Sequence, residues 1–278
     1  MNGLKFIICF ILFSKSITCA QENSLRAKTQ KITTGALYYE YFKHSDDTEL
    51  PTIVFESGAL NGSSYWNQVI DSISKHSNTI RYDRAGMGRS LPSTDTIRSS
   101  SQIAKELNEL LDSLEIDKKI ILVCHSAGGF YGRSFSHQFG NRVKALVLIE
   151  SPCTKWESLL RSCLTKRQNE ERDTSIKQNR LGLSFFQRKE YHASEMNRII
   201  LDQIPKMQIP VFIIFGNSHH WPENYNSDLL NNKWKECQKS LIDISSNSKI
   251  IMVDGSGHHI FQEFNLSHFL KNMSAELN

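Results

Sequence analysis

Six short runs rich in β-branched and aliphatic residues recur along the chain, at 52–55, 79–82, 120–124, 145–149, 211–215 and 250–253. Between them apolar residues keep helical spacing, as in Trp66, Val69, Ile70 and Ile73, and again in Ile103, Leu107, Leu110, Leu111 and Leu114. Strands separated by helices pair in parallel through right-handed crossovers, which cover both faces of the sheet. The expected fold is therefore α/β, a mainly parallel central sheet with helices on both faces. Ligands of such sheets bind beyond the carboxyl ends of the strands. Every residue singled out below for its chemistry follows one of these runs.

The alternation is interrupted once. From 152 to 210 the sequence is polar, with helical patches at Trp156, Leu159, Leu160, Cys163 and Leu164 and later at Met196, Ile199 and Ile200. This stretch reads as a helical lid inserted over the sheet, within a single domain spanning 21–278. A length of 278 residues with 39% apolar and 22% charged residues suits that size of domain. The formal charge is +4 without a basic stripe, so no nucleic-acid partner is expected.

The first residues run MNGLKFIICFILFSKSITCA. One lysine, an apolar core at 6–13 and a small residue at Ala20 describe a secretory signal cleaved after position 20. The core is too short to span a bilayer as a helix. The mature protein is expected to be secreted or periplasmic, with membrane contact only if this segment stays attached. Export leaves Cys124, Cys153, Cys163 and Cys237, too widely spread for a disulfide scaffold and without metal-site spacing. A Cys153–Cys163 bridge is one expectation, with Cys124 and Cys237 read as buried free thiols.

The run at 120–124 leads into VCHSAGGF, with Ser126 where strand gives way to helix. A serine on such a turn is nucleophilic only beside a base, an orienting acid and an anion site. The residues two before and two after it must be small, because the backbone there is strained. Gly128 meets this requirement, while Cys124 stands where the usual Gly-x-Ser-x-Gly pattern has glycine. After the last strand, DGSGHHIF offers His258 as the base, with His259 its neighbour; the histidine comes last in chain order, as in this arrangement. The loop FESGALNG supplies an oxyanion site, with the Ala59 amide and the Ala127 amide as donors and Leu60 as runner-up to Ala59. Neither metal nor organic cofactor is expected, since the histidines of the pairs 219–220 and 258–259 point apart.

Taken together, FESGALNGSSYW, RYDRAGMGRS, VCHSAGGFYGRSF, VKALVLIES and DGSGHHI resemble the α/β-hydrolase superfamily over 52–150 and 211–270. The chain is similar in particular to a bacterial branch in which Glu-Ser-Gly replaces the common His-Gly and an Asp-Arg-Ala-Gly turn follows the next strand. In most of that superfamily the acid follows the strand read here at 211–215, in a Gly-x-x-Asp pattern, where this chain has Gly216, Asn217, Ser218 and His219. Other members carry it one strand earlier, where this chain has Glu150. The resemblance thus implies a Ser126-His258-Glu150 triad, with Glu223 and Asp254 as alternative acids. Asp83, Arg84 and Glu56 are read as braces of their loops and His125 as a local packing residue. Trp66 and Trp221 are candidates for the acyl pocket, although large aromatics are more often core.

Three functions fit. The leading one is a serine hydrolase acting on a carboxylic ester or related acyl compound through an acyl-enzyme. An aminopeptidase on the same fold would need a carboxylate in the lid, for which Glu157, Glu170, Glu171 and Glu190 are candidates. A non-catalytic, hydrolase-like binding protein is suggested by Cys124 and by the missing late-strand acid.

Overall fold

The computed structural model describes residues 24–44 and 51–277. The signal expected at 1–20 lies outside the described residues. Eight strands form one sheet: β1 (Ser24–Ile32), β2 (Gly35–Lys43), β3 (Ile53–Glu56), β4 (Thr79–Tyr82), β5 (Ile120–His125), β6 (Val143–Ile149), β7 (Met207–Gly216) and β8 (Ser245–Val253). Their order is β1-β2-β4-β3-β5-β6-β7-β8. All six expected strands are present and parallel to one another, with β6, β7 and β8 starting earlier than their apolar runs. The antiparallel β1–β2 hairpin at the edge was not anticipated. Its outer strand, SLRAKTQKI, is largely exposed and lacks the apolar run of a buried strand.

Strand side chains alternate between two apolar cores. In β5, Leu122 and Cys124 join the core beneath α2 (Ser100–Ser113), while Ile121 and Val123 join the opposite one with Trp66 and Ile70. Helix α1 (Asn67–Ser74) covers that second face together with α8 (Leu266–Glu276). Trp66 is fully buried in this core, the commoner place for a large aromatic.

Helix α3 (Gly128–Gln138) follows β5 and packs back onto it. A Cβ at Gly132 would overlap the Cys124 sulfur. The thiol thus occupies the space that Gly132 leaves open, which is how the elbow accommodates cysteine in place of glycine. Burial pushes the Cys124 thiol pKa well up, so it stays neutral.

Three helices intervene between β6 and β7: α4 (Trp156–Ser162), α5 (Lys166–Leu181) and α6 (Phe185–Asp202). Helix α5 buries no residue, and its charged side chains explain why periodicity did not reveal it. Thr165 and Ser184 cap α5 and α6, each in a capping box with the glutamine three residues on. Helix α7 (Ser227–Ser240) follows β7 and carries Cys237.

Cys153 is bridged to Cys237, not to Cys163, which is free. The Cα atoms of the pair are 5.4 Å apart, within the range a bridge requires. Proximity in sequence favoured Cys163, whereas chain crossing after β6 brings α7 alongside. The bridge ties the segment after β6 to α7, and Gln238 reinforces it by donating to the Ser151 carbonyl at 2.8 Å.

Two outcomes are expected. Gly132→Ala lowers stability by about 1–3 kcal/mol through overpacking, and Cys124→Ala added to it restores most of the loss, as measured by urea denaturation. Cys237→Ser lowers stability by about 2–5 kcal/mol and makes the Cys153 thiol titratable by a thiol reagent in the denatured chain without reductant.

Candidate active site

Ser126 and Glu150 both follow the last residue of a central strand, and both have left-handed backbones, with φ of 52° and 51°. For non-glycine residues such conformations are strained and persist only where the surroundings impose them. Here the sheet does so: the Ser126 amide donates to Ile149 O at 2.9 Å, and the Glu150 amide donates to Ile214 O at 2.8 Å. Ser151 Oγ donates to the Ser126 carbonyl at 2.9 Å, joining the two turns. The elbow points Ser126 into a cavity of about 650 Å³ shared with His258, His259, His219, His220 and the indoles of Trp156, Trp221 and Trp234.

The Glu150 carboxylate is fully buried, and its Oε2 lies 3.5 Å from Nδ1 of His258. Glu223 is exposed and Asp254 accepts instead from Asn217, so Glu150 is the carboxylate brought to His258. A second histidine, missed as a functional residue from sequence, completes its surroundings. His219 Nε2 stands 2.7 Å from the same Oε2, and the Gly216 amide donates to Oε1. His219 occupies the place where the resemblance led one to look for an acid; that position was the available signal. Its Nδ1 is buried without a partner.

Burial alone raises the Glu150 pKa. Hydrogen bonds from His219 and His258, the charge on His219 and the Gly216 amide outweigh that burial and hold it below the ordinary carboxylate range. The carboxylate is therefore ionised wherever the protein is folded near neutrality.

The remaining histidines are structural neighbours. His125 is buried, and its Nε2 meets the Tyr65 hydroxyl at 2.9 Å and the His258 carbonyl at 3.0 Å. Burial, helped by the field of His258, pushes its pKa down to about 3, so it stays neutral. Tyr65 also reaches His259 Nδ1 at 3.2 Å. This ring stack supports the loop that carries His258.

The loop after β3 lies against the elbow: a Cβ on Gly58 would sit 3.1 Å from Ser126 Cβ. Ala59 and Leu60 are exposed at its tip, and Leu60 has a φ of 64°. Ala127 is the N-cap residue of α3, so its amide belongs to the helix N-terminus, where negative charge is favoured. Arg84 holds the loop from below. Its guanidinium donates to Ser57 O at 2.8 Å and Gly58 O at 2.9 Å, pairs with Glu56 at 2.6 Å, and meets Glu190 of α6 at 3.0 Å through both Nε and Nη2. Asp83 accepts from the amides of Ser63 and Arg89. Arg84, Glu56 and Asp83 thus brace their loops as expected.

The α/β hydrolase fold family profile matches residues 51–264, and the chain belongs to that family. RutD of Serratia proteamaculans (strain 568), provisionally named a carbamate hydrolase, is 31% identical over 134 residues, covering 48% of this chain and 49% of that protein. The chain thus spans about half the length of this curated relative. YqjL of Bacillus subtilis (strain 168), whose name assigns no activity, is 23% identical over 85% of this chain and 86% of its own length. The solved structure of Est816, described as an N-acyl homoserine lactone degrading enzyme, superposes with a TM-score of 0.63 at 17% identity over 89% of this chain and 99% of its own. That likeness is one of fold.

The depressed Glu150 pKa fixes the sign of a pH effect. Its contribution to stability is present above the unfolded-state value of about 4.3 and is lost as pH falls through the lower folded-state value. Urea denaturation is therefore expected to show a stability gap between wild type and Glu150→Gln that is largest near pH 6 and narrows below about pH 4.

Proposed function

We propose that this protein is a serine hydrolase that cleaves a carboxylic ester or related acyl compound through an acyl-enzyme. The observation that carries the reading is the buried, ionised Glu150 at 3.5 Å from His258 Nδ1, on the cavity that also holds Ser126. Glu150 keeps the His258 proton on Nδ1, which leaves the Nε2 lone pair to take the proton of Ser126 as it attacks the carbonyl. The amides of Ala59 and Ala127 receive the oxyanion. The protonated His258 then gives its proton to the leaving group, and water, activated by the same base, releases the acid.

The cavity volume suits a small-molecule substrate, and its three indoles offer an apolar wall to an acyl chain or ring. The helices α4–α6 are read as the lid over this cavity. Hydrolysis also agrees with the family and with the provisional name of RutD. Export is part of the reading, and the Cys153–Cys237 bridge supports it, since disulfides persist in oxidising compartments.

The aminopeptidase reading has less support, because none of its four candidate carboxylates lines the cavity that holds Ser126. Glu190 is buried against Arg84, Glu157 pairs with Arg161 and Arg172, Glu171 with Arg167, and Glu170 with Lys166. The binding-protein reading rested on Cys124, which Gly132 accommodates, and on the missing late acid, whose role Glu150 takes.

A fluorophosphonate probe is expected to label Ser126 of the mature protein, located by mass spectrometry. Glu150→Gln is expected to slow labelling by roughly 10⁴-fold, the usual loss when the acid that holds the histidine tautomer becomes an amide. A folded wild type that takes no label would favour the binding-protein reading.

A further inference from the structure

We propose that Glu150, His219 and His258 together form a reversible binding site for a divalent transition-metal ion of the zinc class, and that its occupation switches the hydrolase off. Their ligand atoms, one carboxylate oxygen and two imidazole nitrogens, lie within 4.8 Å of one another. Each histidine comes from a different adjacent pair, one on the loop after β7 and one on the loop after β8, so the divergence of neighbouring side chains does not keep them apart.

The donor set suits zinc. Two imidazoles and one carboxylate with a fourth position open to a cavity is a common zinc arrangement, whereas magnesium and calcium prefer oxygen. Ligand atoms around tetrahedral zinc stand about 3.4 Å apart at bond lengths of about 2.1 Å. The His258–Glu150 separation of 3.5 Å already matches, and the His219–Glu150 separation of 2.7 Å needs only to open slightly. His258 is 43% exposed and borders the cavity, which gives the ion an entrance and the ring room to adjust. Glu150 is buried with its carboxylate facing His219 and the Gly216 amide, so a cation there meets a desolvated oxygen donor already turned toward the site.

Inhibition follows from proton bookkeeping on one ring and rests on the hydrolase reading above. A neutral imidazole carries one proton. Catalysis needs it on Nδ1 of His258, facing Glu150, with the lone pair on Nε2. A metal ion bound at Nδ1 needs a lone pair on that atom, so the ring proton must sit on Nε2 instead, and His258 can no longer accept one from Ser126. His219 makes the opposite exchange: metal at Nε2 sends its proton to Nδ1, which has no acceptor. That orphaned donor opposes binding, because ligating histidines ordinarily donate their second N–H. The site is accordingly one for reversible inhibition and not for a resident cofactor.

The test is zinc titration by calorimetry, with cobalt(II) absorption reporting coordination, on the mature protein with its disulfide intact. Wild type and Ser126→Ala, which keeps all three ligands, are expected to bind a single zinc ion and to give a four- or five-coordinate cobalt spectrum. His219→Ala and His258→Ala are each expected to weaken binding at least about tenfold, the lower end of what even an outer-shell partner contributes. His220→Ala, which removes a neighbouring histidine of the cavity, is expected to leave it intact. Zinc is also expected to slow fluorophosphonate labelling of wild type reversibly on addition of chelator, and magnesium is expected to have no effect. Undiminished zinc binding by folded His219→Ala, or its loss in His220→Ala, would overturn the site. Zinc binding that depends on His219 and His258 in a protein that never labels at Ser126 would uphold the site while removing the hydrolase reading.

Discussion

The structure around the active site is organised by one buried negative charge. Glu150 ends a strand of buried aliphatics and is itself fully buried, where an uncompensated carboxylate would be costly. Its compensation comes from three separate places: His219 after β7, His258 after β8 and the amide of Gly216 at the end of β7. Each needs the parallel register of β6, β7 and β8 to deliver its group to the same point. The left-handed turn at Glu150, held by the bond to Ile214, and the Cys153–Cys237 bridge a few residues on keep the carboxylate from moving toward solvent.

A second buried charge cluster organises the loop that lies against Ser126. Arg84 receives two carboxylates, Glu56 and Glu190, and spends its remaining donors on the carbonyls of Ser57 and Gly58. The loop beside Ser126 is thereby fastened to α6 through a single guanidinium. In the interior such an ion pair contributes less to net stability than to holding one geometry, since desolvation offsets much of the attraction. Holding geometry is what the proposed oxyanion site would require, because its amides must be in place before charge develops. The planar, forked guanidinium suits this better than an ammonium would.

Much of this was legible before any coordinates. The six apolar runs identified six of the eight strands, because strands buried on both faces of a parallel sheet have no polar side to hide them. Ser126 and His258 stood out because packing alone requires neither small residues around a serine at a strand-to-helix turn nor a histidine after the last strand, whereas a nucleophile and its base require both. Glu150 was reachable by the same logic, as a charge ending an apolar run. The β1–β2 hairpin and α5 were not legible, the first because its outer strand is polar and exposed, the second because it buries nothing. Cys237 and the partner of Cys153 were misjudged because residue type announces what a side chain can do but not which neighbour reaches it first.

By itself the sequence determined the layered α/β architecture and singled out Ser126, His258 and Glu150 as the candidate nucleophile, base and acid, since each is written in local pattern and chain order. Only the tertiary structure decided which cysteines meet, where Arg84 and Glu190 pair, and that His219 shares the Glu150 carboxylate with His258. The first three of those contacts join residues 69 to 106 positions apart, set by strand register and helix packing. No local periodicity carries that information, because it arises only when separate strand ends are brought to one edge of the sheet.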